Sequence, residues 1–267
     1  MANSPPASIV ISFPPSIGNE LGLWLLDHYQ VDYQLLPYSL VFIGPALWWK
    51  TRQSGLPTFK SDSVTLAGPK PIVYLFESQC AAGNRLLPKD DDLCQQVWAT
   101  WPNYFDTLGN AVAIWSYYNL LPNKSVMIGP LTWGVSSLER WVVQLLYPLL
   151  RSNLTKTLGL SAQTAEASML TIRQTFQQVA DRLSDGRPYL FGSSMTLADL
   201  CFAANAAPIV IPPEGYGGPP APGSLPTFEN LPESMKPFVS EMRQHPAGLF
   251  ALRMYQQHRQ RVPVANR

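Results

Sequence analysis

The sequence predicts an α+β domain over residues 1–80, a linker at residues 81–92, and an all-helical domain over residues 93–267. Three observations lead to this prediction. Short β-branched stretches alternate with helical spacing before residue 80, whereas beyond residue 92 apolar residues recur at helical spacing. A capping pattern near residue 196 then opens a helix that is small or apolar on all sides, which is typical of a buried helix.

The amino-terminal part shows the mixed pattern. A turn at residues 14–19 leads into the first helix, where Leu21, Trp24 and Leu25 follow at helical spacing. Another helix is predicted over residues 71–77, because Pro69 and Pro71 fall near its start, where proline is tolerated. The remaining predictions are strands at residues 8–13, 31–41, 56–59 and 63–66, and a loop or short helix at residues 43–54.

The carboxyl-terminal part reads as helices separated by breaks. Ser136 and Glu139 stand at capping-box spacing before a helix whose apolar residues are Leu138, Trp141, Val142, Leu145, Leu146 and Leu149. Thr196 and Asp199 repeat that spacing before the buried helix. Residues 208–226 are rich in proline and glycine, which predicts a long surface loop. Further helices are predicted at residues 97–120 with a break or kink at Pro102, at 165–183, after Asn230, and at 247–258.

Composition excludes several classes of function. The net charge of +1 gives no basic footprint for nucleic acid, and no metal site is predicted, because the three cysteines and three histidines show no ligand spacing. No apolar run is long enough to span a bilayer and no secretory signal is recognisable, so we expect a soluble protein of the cytoplasm or an organelle interior. Charged residues make up only 14%, which indicates an apolar surface or one covered by partners.

Two patterns together resemble a known family. Gly192-x-x-x-Thr196-x-Ala198-Asp199, opening a buried helix, is similar to the capping motif in the helical domain of the glutathione transferase superfamily. The preceding order of strand, helix, strand, loop, strand, strand and helix resembles the thioredoxin-like half of the same proteins. The resemblance therefore implies a thioredoxin-like amino-terminal domain, an all-α carboxyl-terminal domain and a homodimer, while the low charge content would also suit a hetero-oligomeric assembly.

The resemblance also implies site residues. Ser16 falls where several classes of the family place a catalytic Ser or Cys at the start of the first helix, although it is also a good helix cap. Leu56-Pro57 matches the cis proline beside the ligand backbone, and Lys50 or Arg52 matches basic residues that hold a carboxylate. Gly68-Pro69 departs from the family, which has an acidic or amide residue followed by Ser at the γ-glutamyl site. This departure argues against normal glutathione binding.

An aromatic series leaves two interpretations open. Tyr104, Phe105, Trp115, Tyr117 and Tyr118 line either a hydrophobic substrate pocket or the core of the helical domain. Three hypotheses follow: a glutathione transferase-like enzyme that activates a thiol at Ser16 for attack on a hydrophobic electrophile, a non-catalytic subunit of an assembly, and a ligand-binding module. Under the first, glutathione is the co-substrate, and the loop at residues 212–226 is a lid or an interaction arm.

Overall fold

The protein contains one small mixed sheet with helices and a larger helical part, in a computed structural model that describes residues 8–213, 215–216 and 224–259. The strand order is β2-β1-β3-β4, where β1 is Ile9–Ser12, β2 is Gln34–Pro37, β3 is Thr58–Lys60 and β4 is Thr65–Ala67. β1 runs parallel to β2, while β3 runs antiparallel to both β1 and β4. This arrangement confirms the predicted thioredoxin-like domain.

Three helices complete this half: α1 at Ile17–His28, α2 at Ile43–Thr51 and α3 at Pro69–Phe76. α1 provides the crossover that parallel strands require, since β1 and β2 cannot be joined by a tight turn. Leu21, Trp24 and Leu25 of α1 are fully buried, as their spacing predicts. One face of α1 packs on α3 and another packs on a helix of the second half, so α1 lies between the two parts of the protein.

The second half is helical, as predicted. Its helices are α4 at Asp91–Ala99, α5 at Gly109–Leu120, α6 at Lys124–Leu131, α7 at Ser137–Thr157, α8 at Ala162–Leu183, α9 at Leu197–Val210, α10 at Lys236–Gln244 and α11 at Pro246–His258. A π-helical segment, Pro102–Leu108, connects α4 to α5. The linker proposed at residues 81–92 contains a 3₁₀ turn, Ala82–Asn84, and its last two residues already belong to α4.

The predicted capping motif begins α9, which lies at the centre of the helical part. The fully buried Asp199 carboxylate accepts hydrogen bonds of 2.7 Å from the Thr196 amide, the Thr196 hydroxyl and the Leu190 amide. The motif thus holds the preceding chain as well as the helix end. α9 contacts α1, α4, α5, α10 and α11, which accounts for its apolar sequence on all sides.

Several boundaries differ from the prediction. α9 continues through Pro208 to Val210, because burial of the whole helix outweighs the hydrogen bond that proline removes. Ser136 caps α7, but the Glu139 carboxylate accepts bonds from the Ser39 amide and hydroxyl instead of closing the box. Asn230 ends a 3₁₀ turn, and α10 begins six residues later. Of the predicted loop, residues 214 and 217–223 lie outside the described residues.

A buried charge cluster joins the end of the described chain to α1. Arg259 is fully buried, and its guanidinium donates to Glu20 at 2.8 Å and to Asp27 at 2.7 Å. The Tyr255 hydroxyl donates to Glu20 at 3.1 Å, and the Trp24 indole donates to the His258 carbonyl at 3.2 Å. Burial acts to lower the pKa of Arg259, but the two carboxylates raise it overall, so this cation holds its proton. The cluster fixes α11 against α1.

Candidate functional site

A cleft of about 300 Å³ opens where the start of α1 meets α5, α6 and α9. Its lining is predominantly apolar and includes Phe13, Ile17, Phe105, Val112, Tyr117 and Met127. Ser16 lies in the same lining, at the amino end of α1. The structure therefore places the predicted hydroxyl beside an apolar chamber, which is the usual composition of a small-molecule site.

Ser16 is the N-cap of α1. Its backbone is extended, with φ −79° and ψ 128°, and its hydroxyl oxygen accepts a long hydrogen bond of 3.4 Å from the Asn19 amide. Amide groups in the first turn of a helix lack partners within the helix, and the helix dipole places partial positive charge there. Ser16 is therefore both a cap and a cleft hydroxyl beside a site that favours an anion.

Leu56 and Pro57 lie next to this helix end, and the peptide bond between them is cis, as the resemblance implied. The Leu56 carbonyl oxygen is 3.3 Å from the position that a Cβ on Gly18 would take. The Pro57 ring lies against Gly22, where a Cβ would stand 2.3 Å from the ring Cγ. Two glycines of α1 thus allow the loop before β3 to approach the helix closely.

The start of α3 lacks the groups that would hold a γ-glutamyl end. Gly68 has φ +86°, and no side chain caps the helix. Pro69 and Pro71 occupy the first and third helical positions, so neither offers an amide hydrogen. Lys50, in the last turn of α2, has an exposed side chain and does not line the cleft.

An aromatic row runs from the cleft toward the surface. The Phe105 ring packs on Gly18, with its Cζ 3.4 Å from the point where a Cβ on that glycine would stand, and its centroid is 4.8 Å from that of Trp101. Trp101 is followed by Trp98 at 5.8 Å and by the exposed Tyr74 at a further 5.2 Å. The row thus connects one wall of the cleft, at Phe105, with the exposed ring of Tyr74.

The structure separates the aromatic residues that the sequence grouped together. Tyr104 and Trp115, both predicted to contact substrate, are buried in the core, where Tyr104 packs on Phe202 and Trp115 packs on Phe238. Phe105 and Tyr117 line the cleft instead. Successive residues of a helix point to different sides, so Tyr104 faces the core while its neighbour Phe105 faces the cleft.

Two polar residues of the cleft carry no sequence motif. Ser116 Oγ and Asn205 Oδ1 are buried without a hydrogen-bond partner among the described residues, and both residues line the cleft. The Asn205 amide nitrogen donates to the Cys201 carbonyl at 2.7 Å, which fixes the side chain. A lone asparagine in the otherwise apolar run of α9 was the available signal. Two unpartnered acceptors suit a ligand that carries a hydrogen-bond donor.

The described part of the Pro/Gly-rich segment closes one side of the site. Leu225 and Pro226 line the cleft. Tyr216 and Ser224 are both buried, and the Ser224 hydroxyl donates to the Tyr216 carbonyl at 2.9 Å. These residues are therefore packed against the protein rather than extended over its surface.

Burial keeps the cysteine thiols and one phenol of the cleft in their protonated forms. Burial is the first cause that raises the pKa values of Cys80, Cys94 and Cys201, so their thiols stay protonated at neutral pH. Burial also raises the pKa of Tyr117 to about 12, which keeps its phenol a proton donor. Among the described residues, no group of three or more His, Cys, Asp or Glu side chains is arranged to hold a metal ion.

Comparison with known proteins identifies the fold. No family model matches the chain, and no curated protein matches its sequence. Solved structures do match: a glutathione S-transferase from Rhodospirillum rubrum has 13% identity and a TM-score of 0.55, with 90% of each chain covered. Poplar glutathione transferase F1 has 14% identity and a TM-score of 0.54, with 95% of this chain and 99% of that chain covered.

A third similar structure is the beta-etherase LigF from Sphingobium sp. strain SYK-6, with 16% identity and a TM-score of 0.57. The match covers 92% of this chain and 99% of that chain. Nearly the whole chain thus has the glutathione transferase fold, in agreement with the resemblance in its motifs. At this level of identity the likeness extends to the fold alone.

Proposed function

We propose that the protein binds an apolar electrophile in the cleft and activates a thiol co-substrate at Ser16 for attack on it. The observation that carries the proposal is the position of the Ser16 hydroxyl, at the amino end of α1 and in the lining of an apolar chamber. A sulfur bound there would accept a hydrogen bond from the Ser16 hydroxyl and would lie beside the partial positive charge of the helix end. Both interactions favour the thiolate.

The chamber supplies the second half of the reaction. Its apolar walls would remove the electrophile from water and hold it near the sulfur, so that the reaction gains from proximity. Ser116 Oγ and Asn205 Oδ1 would accept a hydrogen bond from the ligand, and the protonated Tyr117 would donate one. We therefore favour an electrophile that has a large apolar body and a single polar group over a simple hydrocarbon.

Glutathione is the co-substrate that the fold suggests, and we propose that it binds weakly. The start of α3 has lost two amide donors to Pro69 and Pro71, and Gly68 has no side chain. The cis Leu56-Pro57 loop is retained and would still face the cysteinyl part of the molecule. Glutathione is in its reduced form in compartments where protein thiols also stay reduced. We therefore propose that the protein acts in the cytoplasm or in an organelle interior.

Calorimetric titration with glutathione tests the proposal. We expect binding by the wild-type protein with a Kd of about 1 mM or somewhat below, and weaker binding by Ser16→Ala. The matched control is Ser136→Ala, which removes another helix-capping serine that does not line the cleft. Absence of binding at roughly millimolar glutathione would eliminate the enzyme hypothesis.

A second function is favoured by a specific observation. Proline-rich α3, which offers no amide hydrogen at Pro69 or Pro71, is consistent with a non-catalytic subunit whose glutathione site has degenerated. Such a subunit would act within a homodimer or a hetero-oligomeric assembly. If glutathione does not bind, light scattering on purified protein and on its native complex would show whether the chain is incorporated into a larger assembly.

A further inference from the structure

The outward face of α7 is apolar, the reverse of an ordinary surface helix. Leu138, Trp141, Leu145 and Leu149 are 67%, 60%, 62% and 66% exposed. Their spacings of three, four and four residues place them along one side of the helix. The predicted apolar spacing is therefore correct, but its largest members point away from the core.

α7 is attached to the rest of the protein by a narrow seam. Within the helix only Val143 and Tyr147 are buried, and α7 packs mainly against α6. The Tyr147 hydroxyl donates to the Leu121 carbonyl at 2.9 Å, and Glu139 holds the first turn to Ser39. A helix of 21 residues is thus held along one narrow side, while its widest face is not covered by any described residue.

Cations accompany this face and acids do not. α7 carries Arg140, Arg151 and Lys156, and its sole acid, Glu139, is occupied by hydrogen bonds from Ser39. None of these three cations forms an ion pair with another described residue. The surface therefore has uncompensated positive charge around an apolar row.

Arg151 and Lys156 line a groove together with Lys124, the first residue of α6. The groove has a volume of about 510 Å³ and is lined by Lys124, Arg151 and Lys156 together with the hydroxyls of Ser152 and Thr155. The Lys124 ammonium donates to the Gln144 carbonyl at 2.8 Å and lies 5.8 Å from the centre of the Tyr147 ring. No acid among the described residues lines the groove, and its three cations and two hydroxyls suit a phosphate group.

We propose that α7 is a docking surface for a bilayer that contains anionic phospholipid. The leucines and Trp141 would enter the boundary between head groups and acyl chains, while the cations of the groove contact lipid phosphates. An interfacial helix of this kind combines Trp and Leu on one face with Lys and Arg around it. No described helix is both long and apolar enough to cross a membrane, so the contact is peripheral.

The charges argue against a second copy of the chain as the occupant. A two-fold axis would place the same flank of α7 opposite itself, since such an interface is formed by one patch on both subunits. A second copy would thus bring the same apolar row and the same cations to this face, and the sole acid of its α7, Glu139, already accepts hydrogen bonds from Ser39. Lys124, Arg151 and Lys156 would receive no counter-charge from that helix, whereas the phosphates of a negative bilayer supply one.

Vesicle co-sedimentation of the full chain tests this inference. The two vesicle types are phosphatidylcholine alone and phosphatidylcholine with phosphatidylglycerol. We expect binding to the anionic vesicles that weakens as salt is added, and much weaker binding to the neutral ones. Arg151→Gln with Lys156→Gln should reduce anionic binding roughly 30-fold, at about fivefold for each cation removed.

The apolar row has its own variant and a matched control. Leu145→Ser with Leu149→Ser should reduce binding to anionic vesicles more than about tenfold, while far-UV circular dichroism stays unchanged because both side chains are already exposed. Leu170→Ser changes a leucine of α8 that is 56% exposed and should leave binding unaltered.

Three results would overturn the inference: no sedimentation with anionic vesicles, equal sedimentation with neutral ones, or equal loss in Leu170→Ser. A wild-type dimer that Leu145→Ser with Leu149→Ser converts to a monomer would assign the face to a second copy instead. None of these results bears on Ser16, so the proposed reaction is tested separately.

Discussion

Replacing Arg259 by methionine tests whether the buried charge cluster holds the carboxyl-terminal helix to α1. The substitution keeps most of the apolar volume but removes the buried ion pairs that Arg259 forms with Glu20 and Asp27. Removing one partner of a buried ion pair costs about 3–5 kcal/mol, because the remaining charge is poorly solvated. We expect the free energy of unfolding to fall by that amount in a urea titration followed by circular dichroism.

The matched control is Arg173→Met. Arg173 and Glu241 form an ion pair at 2.7 Å, with side chains 42% and 46% exposed, and an exposed pair contributes about 0–1 kcal/mol. Adding Glu20→Gln and Asp27→Asn to the Arg259 variant should restore part of the stability, because the two buried carboxylates that paired with Arg259 are then replaced by neutral amides. Equal, small losses in the two arginine variants would refute the reasoning that burial makes the cluster strong.

Three further predictions concern packing, capping and pH. Gly22→Ala should lower the free energy of unfolding by about 1–3 kcal/mol, because its Cβ would overlap the Pro57 ring. The control Gly44→Ala, on α2, places a Cβ that meets no atom within 4 Å and should be neutral or stabilising. Urea titration measures both. Asp199→Ala should cost about 2–4 kcal/mol in the same titration, since two buried amides lose their acceptor, and a loss below about 1 kcal/mol would contradict this. Burial lowers the pKa of His28 below its usual value of 6.5, so the unfolded chain binds its proton more readily. The contribution of His28 to the free energy of unfolding is therefore fully present above about pH 6.5 and is lost as the pH falls. If the free energy of unfolding of His28→Gln declines between pH 7 and pH 5 as much as that of the wild type, His28 does not have this role.

Local patterns predicted the parts of the fold that local interactions determine. The Thr196–Asp199 spacing located the start of α9, because a capping box is formed within one turn. The corresponding pair at Ser136 and Glu139 formed only half of its box, since Glu139 binds a residue one hundred positions earlier. A partner that distant in sequence leaves no trace in the spacing.

Helical spacing predicted where α7 forms but not which side faces the core. Periodicity identifies an apolar stripe, and the stripe of Leu138, Trp141, Leu145 and Leu149 is exposed because α7 uses Tyr147 and Val143 for its contact with the protein. Which face is buried depends on the tertiary contacts of the helix, and spacing does not contain that information.

The site was predictable only in part for the same reason. Ser16 and Leu56-Pro57 were located by chain order, which the fold preserves. Asn205 and Ser116 escaped notice, because a single polar residue in an apolar helix has no characteristic spacing. Tyr104 and Trp115 pack in the core, which is one of the two interpretations that the aromatic series left open, because spacing alone does not say which side of a helix faces a cleft.

The most direct test of the proposed function is the rate of conjugation of glutathione to chlorodinitrobenzene by the wild type, Ser16→Ala and the control Ser136→Ala. We predict measurable turnover by the wild type and a loss of about 10–100-fold in kcat/KM for Ser16→Ala, since a hydrogen bond to an anion contributes about 1.5–3 kcal/mol. Ser136→Ala should retain the wild-type rate. Equal rates for wild type and Ser16→Ala, or no turnover above the uncatalysed reaction, would contradict the role assigned to Ser16.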